Sequence, residues 1–220
     1  MPIKTEREYR NLSLRAMEND GDEKIVTGYA STFDEPYLLF EGDGFKFYEV
    51  VDRDAFDNTD KDDVIMQYDH TGRVFARTRN NTLEIEADDK GLFIRADLGG
   101  TEIGRQLYDE IRGGYTDKMS FGFTVNGETE EREKTDDGVE IYTRRITSVK
   151  KLYDVSAVSI PANDGTSIEA DATYRSISNL TDGVIEKIRA ERLEEEETEL
   201  ERRRLEVKAK ALFERGKSNG

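Results

Sequence analysis

The chain of 220 residues has 33 Lys and Arg against 49 Asp and Glu, a formal charge of -16, one histidine and no cysteine. Disulfides, thiol nucleophiles, zinc–thiolate clusters and multi-histidine metal centres are thereby excluded, and any imidazole chemistry must use His70. The acidity argues against nucleic acid or an anionic membrane as partner, because both need clustered Lys and Arg. No apolar run approaches the roughly 18 residues of a membrane span, and the opening MPIKTEREYR lacks a signal-peptide core, which predicts an intracellular protein.

In chain order, β-branched and aromatic runs predict strands at Ile25 to Phe33, Phe45 to Val51 and Val64 to Tyr68. Arg73 to Thr78 and Leu83 to Ala87 flank an Asn80-Asn81 turn, and Asp88 to Gly91 turns the chain into Leu92 to Leu98, which reads as two hairpins in a meander. One helix interrupts: in TEIGRQLYDEIRGG, Thr101 caps, Ile103, Leu107, Tyr108 and Ile111 recur at helical spacing, and Gly113-Gly114 stop it. Strands resume at Met119 to Val125, Val139 to Ile146 and Leu152 to Ile160, ended by Pro161. About ten short strands with one helix predict a closed or nearly closed β-barrel.

The acidity is not evenly spread. Residues 1 to 180 carry 23 basic against 38 acidic side chains, whereas residues 181 to 220 carry 10 against 11. From Thr181 to Arg215 the chain is dominated by Glu, Arg, Leu, Lys and Ala, which predicts a long charged helix. Leu193, Leu200 and Val207 repeat at seven without a companion apolar row, leaving both a solvated helix and a partner-binding or oligomerising one open. The organisation read from this is a β domain over residues 1–168, a linker over 169–182 and a helical tail over 183–215.

Three segments carry candidate chemistry. His70 ends the run VIMQYDH ahead of Thr71-Gly72, where a ring can be presented at the mouth of a barrel or to solvent. In Met119-Ser120-Phe121-Gly122-Phe123, alternation puts the large side chains on one face and Ser120 with Gly122 on the other, a face the glycine keeps open. A serine hydroxyl needs a base within hydrogen-bond reach to act as a nucleophile, and His70 is the available imidazole. In Leu152 to Ile160, Asp154 and Ser156 share a parity with Leu152, Val158 and Ile160, so the Asp154 carboxylate requires a partner. Pattern alone leaves a backbone-satisfied serine and a solvated acid as alternatives.

Taken together, Asp69-His70 before Gly72-Arg73, Gly91-Leu92, the glycine-ended helix, MSFGF at 119–123 and LYDVSAVSIPAN at 152–163 resemble the prohead serine proteases of tailed bacteriophages. Asp52-Arg53-Asp54-Ala55-Phe56 is similar to the family's Gly-Ala-Phe segment, with Asp54 where glycine is common. The resemblance spans roughly residues 10 to 168. It implies an α+β, mainly β fold with flanking helices, an assemblin-like barrel similar to the herpesvirus assembly protease, here followed by the charged helix. It further implies a serine endopeptidase acting in the host cytoplasm, inside the assembling prohead, on the major capsid protein and its propeptide or scaffold.

By that resemblance His70 is the general base, Ser120 the nucleophile and Asp154 the third member, with Asp69 the weaker candidate. The herpesvirus enzymes use a second histidine there, which this chain lacks. Arg144 or Arg145, on the strand before the Asp154 segment, is the candidate oxyanion donor, with solvated strand arginines as the alternative. Neither a cofactor nor a metal is expected: the acidic clusters Asp60, Asp62, Asp63 and Asp136, Asp137, Glu140 lack the pattern of a calcium loop. Dimerisation is left open, tail docking into scaffold and self-cleavage near 165–182 are expected, and the rival reading is a non-enzymatic acidic scaffold or capsid-assembly protein.

Overall fold

A computed structural model describes residues 7–17, 23–42, 44–158 and 172–218, with side chains for all of these except 9, 11, 12, 172–178 and 211–218. The strands are β1 (Glu8–Ala16), β2 (Ile25–Thr32), β3 (Tyr37–Gly42), β4 (Phe45–Val51), β5 (Ile65–Tyr68), β6 (Thr71–Arg77), β7 (Leu83–Ala87), β8 (Gly91–Asp97), β9 (Lys118–Lys134) and β10 (Glu140–Val158). The helices are α1 (Glu102–Arg112) and α2 (Ala172–Ser218). The fold is thus mainly β with a long C-terminal helix.

Hydrogen-bonded neighbours follow the order β3-β4-β10-β9-β1-β2-β8-β7, with β5 also on β10 and β6 on β5. Strand β1 is the corner: its first half, from Glu8 to Ser13, pairs with β9, and Leu14 to Ala16 pair with β2. Side chains from both arms meet in one core, including Leu14, Val26, Leu92 and Ile94 from one and Met119, Phe121, Phe123 and Val155 from the other. Of the closed or nearly closed barrel expected, closure is not what the ladders form among the described residues: the path is open, with β3 and β7 at its ends. Of the two expected hairpins, β7–β8 forms, in the β2 arm, whereas β6 pairs with β5 in the β10 arm rather than with β7 across the Asn80-Asn81 turn, so the run is not one meander.

Helix α1 forms as its sequence dictates. Thr101 accepts a hydrogen bond from the Gly104 N–H, and Leu107, Tyr108 and Ile111 are buried on one stripe in the core. The two strands expected at 139–146 and 152–160 are one, β10, which carries the chain past β4 and then β5 in parallel while β9 runs antiparallel along its other side. Its predicted end at Ile160 and Pro161 lies outside the described residues.

Residues Asn179–Gly220 form a unit of their own. The helix begins at Ala172, inside the segment read as a linker. Although that stretch is rich in Ser, Thr and Asn, it has no Pro or Gly between 172 and 182 to stop a helix. The boundary at 168 lies outside the described residues. No helix among the described residues is long and apolar enough to cross a membrane.

Candidate active site

The register of β9 and β10 assembles the site. Ser120 lies directly opposite Ser156, and Gly122 opposite Asp154, so these four residues share a face, while Met119–Ala157 and Phe121–Val155 pair on the core face. The simple parity of the sequence fails at one position: Leu152 pairs with Phe123 and Asp154 with Gly122, so Tyr153 is an extra residue on β10. That bulge keeps Leu152 in the core yet turns Asp154 two residues later onto the opposite face. Gly122 adds no side chain beside the carboxylate.

His70 arrives from the other side of β10. Strand β5 pairs with it in parallel, Ala157 opposite Tyr68, and the Asp69 N–H donates to the Ala157 carbonyl at 2.9 Å. Tyr68 and Thr71 are paired, so the β5–β6 hairpin turns on two residues, Asp69 (φ 48°) and His70 (φ 59°). Positive φ at both positions is the requirement of a type I′ turn, whose second position usually holds glycine. The histidine therefore sits within the turn rather than at a strand end before it. Its Cβ carries a backbone strain of about 1 kcal/mol that glycine would not.

The ring's Nδ1 is 2.5 Å from Oδ1 of Asp154, and both side chains are only 3% exposed. Ser156 Oγ donates to the same Oδ1 at 2.7 Å. The buried carboxylate thus accepts two hydrogen bonds on one oxygen, the compensation its burial demands. Ser120 and Ser156 are fully enclosed, which corrects the expectation that Ser120 lies on an open face.

The structure brings His70, Asp154 and Ser120 into one patch, and Asp69 into the turn that holds His70. It does not bring in the two arginines. Arg144 is ten residues from Asp154 along β10, roughly 30 Å at strand rise. Its guanidinium donates to Glu8, Glu49 and Glu128 at 2.5–2.8 Å, and Arg145 binds Asp52 at 2.6 Å. Ser156 is the residue whose part sequence reasoning missed, although its place two residues after Asp154 was visible. No group of three or more His, Asp or Glu able to hold a metal ion occurs among the described residues.

Comparison with known proteins gives three findings. The search of curated proteins returned no match. Among solved structures, the bacteriophage T4 capsid assembly protease, gp21, aligns at 10% identity with a TM-score of 0.32, covering 69% of this chain and 98% of that one. Residues 10–182 match the family described as caudovirus prohead serine protease, a span holding all three candidate residues, and the chain belongs to that family.

Proposed function

We propose that this serine protease of prohead maturation works through a Ser120–His70–Asp154 triad. The observation that carries the reading is the buried His70–Asp154 contact at 2.5 Å, set in the strand register that holds Ser120 across from Ser156. With Nδ1 directed at Asp154, Nε2 is the nitrogen that takes the Ser120 proton as Oγ attacks the scissile carbonyl. The imidazolium then returns that proton to the leaving amine, water deacylates the enzyme by the same route, and Asp154 holds the ring's tautomer and orientation throughout.

The substrates are the capsid protein with its propeptide or scaffold, met inside the assembling prohead, and the chain itself near residues 165–182. The domain plan that serves this is a catalytic β body, a cleavable connection and a helical tail that docks the enzyme into the scaffold. Ser120 has no exposed surface in the form described, so turnover requires the face over it to open. Confinement in the shell raises effective substrate concentration without any new contact.

The test is mass spectrometry over time of the purified chain alone and with capsid-protein precursor. The wild type is expected to yield discrete fragments and Ser120→Ala none. Equal fragmentation by Ser120→Ala would remove the serine mechanism.

A further inference from the structure

Helix α2 has two properties that the catalytic reading does not use. The first is an exposed apolar line: Leu193 is 62% exposed, Leu200 51% and Val207 67%, spaced at seven and therefore on one side of the helix. Nothing in the hydrophobic effect favours leaving three such side chains in water along one stripe. The second is charge segregation. Residues 191–201 hold seven Glu and one Arg, and residues 202–210 hold five Arg and Lys and one Glu. The side chains that flank the stripe follow the same division, with Glu196 and Glu197 before Leu200 and Arg203 and Arg204 after it.

From these two observations we propose that α2 is a self-association surface whose partner is a second copy of the same helix, running antiparallel with the two-fold axis at Leu200. That axis sets Leu193 against Val207 of the second copy and Leu200 against its own equivalent. It also lays the Glu196–Glu197 pair against Arg203–Arg204 of the other chain, twice. Shifting the axis toward either end of the stripe leaves an apolar residue unmatched. A parallel pair would align the apolar stripes equally well, but it would stack acid on acid and base on base, so charge selects the orientation. The interface is isologous and closed, producing a dimer rather than a chain of subunits.

A seam with one apolar row and charged flanks is a weak one, and its pairs lie in water. Arg203 also has an intrahelical partner, Glu199 at 3.1 Å, which competes for it. Association should therefore depend on salt. It requires high local concentration, the condition inside a closing shell.

The test uses the full chain with Ser120→Ala, so that self-cleavage cannot remove the tail and the result does not depend on the catalytic reading. Sedimentation is expected to give a concentration-dependent dimer at about 50 mM salt that dissociates toward about 0.5 M. Leu200→Glu should abolish the dimer with circular dichroism unchanged. Glu196→Arg with Glu197→Arg should weaken it at least tenfold, and adding Arg203→Glu and Arg204→Glu should restore it. Because the chain has no cysteine, Lys208→Cys places one spin label per chain. The antiparallel register predicts an interlabel separation of about 25 Å, where a parallel pair gives about 10 Å. A monomer at all concentrations, a dimer indifferent to Leu200→Glu, failure of the restoring swap, or the short separation overturns the proposal.

Discussion

Strand β10 holds two buried polar clusters with opposite characters. Near its start Arg144 joins Arg10, Glu8, Glu49 and Glu128 from β1, β4 and β9. Arg10 grips Glu49 with two bonds of 2.6 Å, and Arg144 reaches Glu8 at 2.5 and 2.8 Å. Near its end Asp154 meets one imidazole and one hydroxyl, with no Arg or Lys among the partners identified for it. The first cluster satisfies charge with charge, on ordinary strand backbone. The second sets a carboxylate against one imidazole and one hydroxyl and obtains its histidine from a strained turn. The difference separates a network that fixes the fold from an arrangement suited to moving a proton.

The largest expected effect that breaks this comparison concerns Asp154. Asp154→Asn keeps the shape but reverses the hydrogen bond that orients His70, and kcat should fall about 10³–10⁴-fold. Asp69→Asn, equally at home at positive φ, should stay within about threefold, and the pair of assays decides between the two acids. A large loss in Asp69→Asn with little in Asp154→Asn would exchange their roles.

The ion cluster should respond in stability rather than in turnover. Glu49→Gln leaves Arg10 and Arg144 short of a buried partner and should cost about 3–5 kcal/mol in denaturant unfolding, with kcat of the folded fraction unchanged. Acid offers a second probe. Burial by itself would raise the Glu8 carboxyl, but its hydrogen bonds and charge contacts with Arg144 and Arg10 outweigh that and hold it at about 2. A carboxyl lowered on folding contributes stability above its unfolded pKa of about 4.5 and loses it as pH falls toward 2. Unfolding titrations should therefore show stability declining by on the order of 3 kcal/mol across that window, a decline that Glu8→Gln removes.

The smallest effect is at Ser156. Its hydroxyl is one of two donors on Oδ1, so Ser156→Ala should lower kcat about tenfold with KM nearly constant, a loss near 1.4 kcal/mol. Ser156→Thr, which keeps the donor, should recover most of it if the enclosed site admits the extra methyl.

Much of this was legible in the sequence where local pattern and tertiary role agree. Helix α1 with its Thr101 cap, β2, β4, β5, β7 and β8 all lie close to where periodicity puts them. Strand β1 was not legible because Glu8 and Arg10 read as solvent-facing charges. They are buried only because Glu49 and Arg144 neutralise them from 39 or more residues away. Strand β3 was likewise unread, with only Leu39 of its six residues fully buried.

At the site the residue types were visible, and the order His70, Ser120, Asp154 could be named. Their geometry was not, because it depends on the bulge at Tyr153 and on Asp69-His70 adopting a conformation normally reserved for glycine. The open sheet depends on which strands pair at the ends of the path, information that no local window contains.

The most direct test of the proposed triad is covalent labelling by a fluorophosphonate, followed by peptide mass spectrometry. The reading of Ser120 as the nucleophile activated by His70 and Asp154 predicts one adduct, on Ser120, formed by the wild type, sharply slowed in Asp154→Asn and absent in His70→Ala. An adduct on Ser156 or another serine instead, or labelling of His70→Ala at the wild-type rate, would contradict it.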